Sequence, residues 1–161
     1  MRTLILSSAL ALALLGTGCQ TTHSFATPDA SWKSHVGQLK YSNRKRTLIG
    51  EVVVQRRGTK EFQLDFLKAG SFRLMSIRED AAAARTDGLL VRGAWQGSPA
   101  AAPKSLRPWL ALREAFLQTK PAMPGGLSSW QGQSEYRGGE LSSLFLAFPE
   151  DDQRFVFQFN R

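Results

Sequence analysis

The 161-residue chain holds one cysteine, Cys19, and two histidines, His23 and His35. A single thiol has no internal disulfide partner. His35 has no cysteine, histidine or carboxylate at metal-ligand spacing, and His23 sits in a polar stretch, so no metal site is expected. The chain also lacks a G-x-S-x-G elbow, a phosphate-cradling glycine loop and an H-E-x-x-H motif. A Ser/His/Asp triad gathered from distant parts stays open, because triads are defined by geometry, but His35 would be its one usable base. No catalytic residue is assigned, and neither enzymatic activity nor a cofactor is expected. No internal repeat is visible. The longest apolar run, Leu4 to Leu15, is broken by Ser7 and Ser8. At about 12 residues it falls short of the roughly 20 that a spanning helix requires.

That run has another use. Met1-Arg2-Thr3 supplies a one-charge leader, the apolar run follows, and Gly16-Thr17-Gly18 ends it in small residues. Residues 1–18 therefore read as a secretory signal peptide. Two cleavage sites compete. Ser24-Phe25-Ala26 fits the small-x-small rule for cutting after Ala26. Leu15-Gly16-Thr17-Gly18-Cys19 resembles the lipobox of bacterial lipoproteins, with Gly16 where that box usually carries leucine. The resemblance implies diacylglycerol on the Cys19 sulfur, cleavage after Gly18 and acylation, with palmitate or a similar chain, of the new amino terminus. A lone cysteine in an exported protein fits this use better than a disulfide role. Several acyl chains anchor a protein stably where one does not. Gln20, where envelope sorting reads aspartate as an inner-membrane signal, points to the outer membrane and a periplasm-facing domain.

Cleavage after Gly18 leaves 143 residues, enough for one domain with a core. Residues 19–30 read as a lipidated flexible tether, and residues 31–161 as a single domain. The formal charge of +8 drops to +7 when Arg2 leaves. For an exported chain this excess points to anionic lipid headgroups or cell-wall polymers, and no nucleic acid is expected. A monomer is expected. Arg44-Lys45-Arg46 and Arg56-Arg57 flank one apolar segment and should cap the two ends of a strand.

The order of elements follows from periodicity. Pro28-Asp29 followed by Trp32, Val36 and Leu39 predicts a short amphipathic helix capped by Asp29 or Ser31. Residues 47–55, TLIGEVVVQ, predict a strand. EFQLDFL alternates, with Phe62, Leu64 and Phe66 on one face, as in an antiparallel sheet with one wet side. SFRLMSIR (71–78) predicts a strand with Phe72 and Leu74 inward and a slip at Met75-Ser76. Ala69-Gly70 makes the preceding turn, and two short strands are expected around Asp87-Gly88. SLRPWLALREAFLQT (105–119) is the best helix, with Ser105 as cap and Pro108 in its first turn. KPAMPGG is loop. Strands follow at about 130–137, at 141–148, covered on both faces from Leu144 on, and at 154–160. The sum is an α+β domain with four or five strands, a helix, then about three strands. A sheet this long is expected to curl into an incomplete β-barrel. The helix at 105–119 would fill its concave side.

This order resembles the LolA/LolB group of envelope lipoprotein carriers, and LolB more closely because of the lipobox. Trp32-x-x-His35 with Leu39 resembles the helix ahead of the family's first strand, and Gly50 a glycine within that strand. Leu106-x-x-Trp109-Leu110 resembles the family's central helix, and Gln153-Arg154-Phe155 its closing strands. The resemblance implies a half-barrel whose apolar cavity receives acyl chains of lipoproteins or lipids. Phe62, Leu64, Phe66, Leu74, Trp109, Phe116, Phe155 and Phe157 would line it. Two family features differ: the loop that carries an inserting leucine is here Arg78-Glu79-Asp80, and the Gly-x-x-x-Pro approach to the central helix is missing. The other reading is a structural or adaptor lipoprotein with a packed core that binds an envelope protein or the cell wall. A cavity and a core share one apolar pattern; unfilled volume separates them.

Overall fold

The computed structural model describes residues 23–91, 93–117 and 130–160. The expected signal peptide, Cys19, the end of the expected helix at 118–119 and the expected KPAMPGG loop lie outside the described residues. Within them, nine strands form one antiparallel sheet: β1 (Lys33–Asn43), β2 (Arg46–Arg57), β3 (Glu61–Lys68), β4 (Phe72–Glu79), β5 (Ala84–Asp87), β6 (Trp95–Gly97), β7 (Gln131–Arg137), β8 (Glu140–Phe148) and β9 (Gln153–Phe159). Their spatial order is β6-β5-β4-β3-β2-β1-β9-β8-β7. A 3-10 turn, Lys104–Leu106, leads into α1 (Arg107–Leu117), the α-helix among the described residues. The expected α+β class holds. Six strands, rather than four or five, precede the helix.

The sheet is open. β6 and β7 are its two edges and do not pair, and the sheet is neither closed nor strongly curled. One face is oily and one is wet. Directly paired residues share a face, so Leu39, Phe157 and Leu144 line up on the helix side, as do Val54, Leu64 and Ile77. All six are buried. The row Val53, Asp65, Ser76, Asp87 lies on the other face. Among the described residues one helix lies over one face, giving two layers, and the far face carries the polar side chains, exposed at Arg78 and Arg85 and buried at Gln63 and Ser76.

The expected N-terminal helix is not formed. Asp29 instead makes a turn, its carboxylate accepting the Ser31 backbone N–H at 2.8 Å and its carbonyl the Trp32 N–H at 3.1 Å. The chain then enters β1. Trp32, Val36 and Leu39 have helical spacing, but Leu39 and Tyr41 are buried while Val36 is 48% exposed. Strand pairing on both sides, by β2 and β9, overrides that spacing. Gly37 fits this geometry: a Cβ there would lie 2.1 Å from the Gln158 carbonyl oxygen. Gly50, read as part of a first strand, stands in β2.

Three further expectations change. Phe72 is exposed, at 64%, and the slip in β4 falls at Leu74, since Leu67 pairs Arg73 while Phe66 pairs Met75. After Asp87 the chain does not turn back at once. Leu89 and Leu90 donate to the carbonyls of Arg73 and Leu74, so the segment runs on beside β4 before β6 begins. In β8, Leu144, Leu146 and Phe148 are buried but Phe145 is 40% exposed, so that strand is covered on one face, not two. The basic clusters do mark the ends of β2, where Arg44 meets Asp152 at 3.1 Å and Arg57 pairs Glu61.

At Gly50 a Cβ would sit 2.1 Å from the Leu67 carbonyl oxygen and 2.9 Å from the Phe66 ring. Gly50→Ala must push β3 away, and we expect it to lose about 1–3 kcal/mol in chemical denaturation. An unchanged midpoint would show that the β2–β3 contact is looser than described.

Candidate functional site: the helix-covered face

All eight residues expected to line a cavity are buried. Phe62, Leu64 and Phe66 stand on the helix side of β3 because alternate residues of a strand share a face. Phe155 and Phe157 do the same on β9, and Trp109 and Phe116, seven apart, point down from α1. The Trp109 ring lies 4.8 Å from Phe155, edge to face, and 4.9 Å from Tyr41. Phe116 lies 5.1 Å from Phe157 and 5.9 Å from Phe62. Such contacts contribute about 0.5–1.5 kcal/mol each beyond their buried area. Leu74 belongs to the same buried cluster, but through the β4 bulge and with its carbonyl held by Leu90.

The space left between these side chains is small. A gap of about 10 Å³ lies beside Phe62, Trp32 and Glu79, and one of about 20 Å³ among Ala115, Phe116, Trp130 and Leu144. Each has room for about one water, against the roughly 300–1,000 Å³ of a ligand pocket. A larger open cleft, about 510 Å³, lies at the C-terminal end of α1, where Phe116, Val36, Tyr136 and Leu141 meet Lys33 and His35. Burial, with Arg56 and Lys33 nearby, holds the His35 imidazole below its usual pKa.

Sequence reasoning missed the polar tie across the layers. Glu79 is 5% exposed on the helix side, and Arg113 of α1 reaches it at 3.4 Å. The same guanidinium donates to the carbonyl of Thr59 at 2.7 Å and that of Lys60 at 3.4 Å. It thereby pins the helix to the β2–β3 turn. Burial raises the Glu79 carboxyl to about 7, although Arg113 opposes the shift. A signal was available: Met75, Ile77 and Glu79 share one phase of β4. The sequence places Glu79 in a loop, where that phase carries no meaning. Tyr41, Leu146 and Phe148 were missed as lining residues for the related reason that β1 was assigned to a helix and β8 to two covered faces.

No family model and no curated protein matches this chain. The site must therefore be judged from its own geometry. Among the described residues, no group of three or more His, Cys, Asp or Glu side chains could hold a metal, and no helix is long and apolar enough to cross a membrane. The segment from His23 to Ala30 contacts the domain, with His23 Nε2 2.5 Å from Asp80 Oδ2; within the segment the His23 ring packs on Phe25.

Two outcomes are expected. Trp109→Ala should cost about 3–5 kcal/mol in urea or thermal denaturation, as for a packed aromatic. A cost under about 1 kcal/mol would mean that the ring lines open space. The second outcome concerns pH. The folded chain keeps the Glu79 proton to about 7, whereas its ordinary value is 4.5. The stabilising effect is thus full below about 4.5 and lost as pH rises through 7, a decline of roughly 3 kcal/mol. Glu79→Gln should flatten that decline when stability is measured from pH 4 to pH 8, and an unaltered profile would sink the assignment.

Proposed function

We propose that this chain is an envelope lipoprotein, anchored in the outer membrane through Cys19, whose packed domain acts by presenting its surface. It is not itself a catalyst. It binds another envelope protein or the cell wall. The observation that supports this reading over acyl-chain carriage is the close packing of the helix-covered face, where the gaps beside Phe62 and beside Phe116 hold about 10 and 20 Å³. An acyl chain would have to displace Trp109 or Phe116 from aromatic contacts on both sides.

One observation keeps the carrier reading alive. The 510 Å³ cleft ends on Phe116, with Lys33 beside it. A LolB-like acceptor could take an acyl chain there, headgroup at the basic rim, and lodge its methylenes by lifting the end of α1. Such a chain would gain about 0.8 kcal/mol per buried methylene. The strand-helix-strand order of the LolA/LolB group supports this second reading, and the open sheet counts against a half-barrel.

Native mass spectrometry of the mature chain, released gently from detergent, separates the two. We expect the protein with its covalent acyl groups and no retained free lipid, and no uptake of a fluorescent fatty acid. Retained lipid that Phe116→Ala removes would establish the carrier reading instead. Anchoring is tested apart from this: Cys19→Ser should abolish palmitate labelling, and a labelled mutant would disprove it.

A further inference from the structure

The face of the sheet turned away from α1 carries an unpaired cationic couple. Arg78 on β4 and Arg85 on β5 are directly opposite each other, with Gln63 on β3 opposite Arg78 in turn. Both arginines are exposed. Directly opposed residues hold their Cβ atoms about 4.5–5.5 Å apart, and like charges so placed repel. The neighbouring carboxylates do not relieve them. Asp65 accepts from Ser76 and Gln63, each at 2.7 Å, and Arg73 bridges Asp65 and Asp87 at 3.8 and 3.5 Å. Neither Arg78 nor Arg85 has an ion pair or side-chain hydrogen bond among the described residues. These groups open onto a concave area of about 510 Å³ walled on one side by His23 and Phe25. A guanidinium pair left free in a concavity suits an anion with several oxygens, because each fork can take two of them.

The chain itself says which anion is near. His23 is held at Asp80, two residues beyond Arg78. Cys19 precedes His23 by four residues, which span at most about 14 Å when fully extended. On the reading that Cys19 is acylated, its chains enter the bilayer within that distance of His23, which lines the same concavity as the arginine pair. The headgroup layer is only about 5–8 Å deep on each side. So short a tether keeps the pair close enough to the membrane surface to reach the phosphate layer. The β1–β2 turn, with Lys45 and Arg46, lies at the other end of the strands, about 35 Å away.

We propose that Arg78 and Arg85 form a docking site for anionic lipid phosphates of the anchoring membrane. The site lays the outer face of β3–β5 against the headgroups, and the β1–β2 turn and α1 are left facing the periplasm. The anchor alone would let the domain swing; the arginine couple sets its orientation.

The test uses the whole mature chain carrying Cys19→Ser, so that no acyl group contributes. It is bound to vesicles containing phosphatidylglycerol and to vesicles of phosphatidylcholine alone. Selective binding to the first is expected. Each arginine near a charged surface is worth about fivefold, so Arg78→Gln with Arg85→Gln should weaken binding about 30-fold. Lys45→Gln with Arg46→Gln removes the same charge at the far end and should change it less than about threefold. Equal losses from the two pairs would mean that net charge alone is read, and no selectivity for phosphatidylglycerol would mean no site; either result overturns the proposal. Melting of the Arg78/Arg85 variant should be no lower than wild type, since a repulsion is removed, so lost binding cannot be put down to misfolding. Palmitate labelling of the unmutated chain reports separately on the anchor. If labelling fails while the arginine pair still governs vesicle binding, the anchoring reading is wrong and the headgroup site stands.

Discussion

The contact between α1 and the aromatic face of the sheet is what the remaining structure depends on. Trp109 sits between Tyr41, Phe66 and Phe155, and Phe116 between Phe62, Phe157 and Phe159. These residues come from β1, β3 and β9, so one short helix ties the N-terminal and C-terminal parts of the chain together. An 11-residue helix is marginal alone, and its stability must come from this packing. The Arg113 guanidinium adds direction: bound to the carbonyls of the β2–β3 turn, it determines which end of the helix lies over which end of the strands.

The same packing leaves the opposite face free to be polar. Among the described residues no second layer of secondary structure covers it, and that face carries Asp65, Arg78 and Arg85 beside the buried, hydrogen-bonded Gln63 and Ser76. A domain built this way has one side committed to its core and the other available for contact. Residues 23–26 lie against this available side, with His23 and Phe25 lining its concavity. On the proposed anchoring, fold and anchor converge on one surface, whereas the packed interior leaves little for a ligand to occupy.

What could be read locally depended on how one-sided each strand is. EFQLDFL was legible because one face of β3 is apolar and buried while the other is polar, which leaves a strict alternation of polarity. RFVFQFN was legible for the same reason. Residues 33–43 were not, since Trp32, Val36 and Leu39 imitate a helical stripe and the strands that claim them lie at 46–57 and 153–159. The β4 bulge moved the phase by one residue, turning Phe72 outward and Glu79 inward. LSSLFLAF looked two-sided because an exposed Phe145 has the same hydropathy as a buried one.

The sequence by itself determined the lone cysteine behind an apolar leader, the helix expected at 105–119 and found at Arg107–Leu117, and the ends of β2, because each depends on neighbours along the chain. The tertiary structure decided that the sheet stays open, that its apolar face is filled, and that Arg78 and Arg85 confront each other unpaired. Those facts arise from pairing between segments far apart in sequence. Pattern alone shows which side chains are apolar; only the distance between the surfaces they line shows whether they enclose space or consume it.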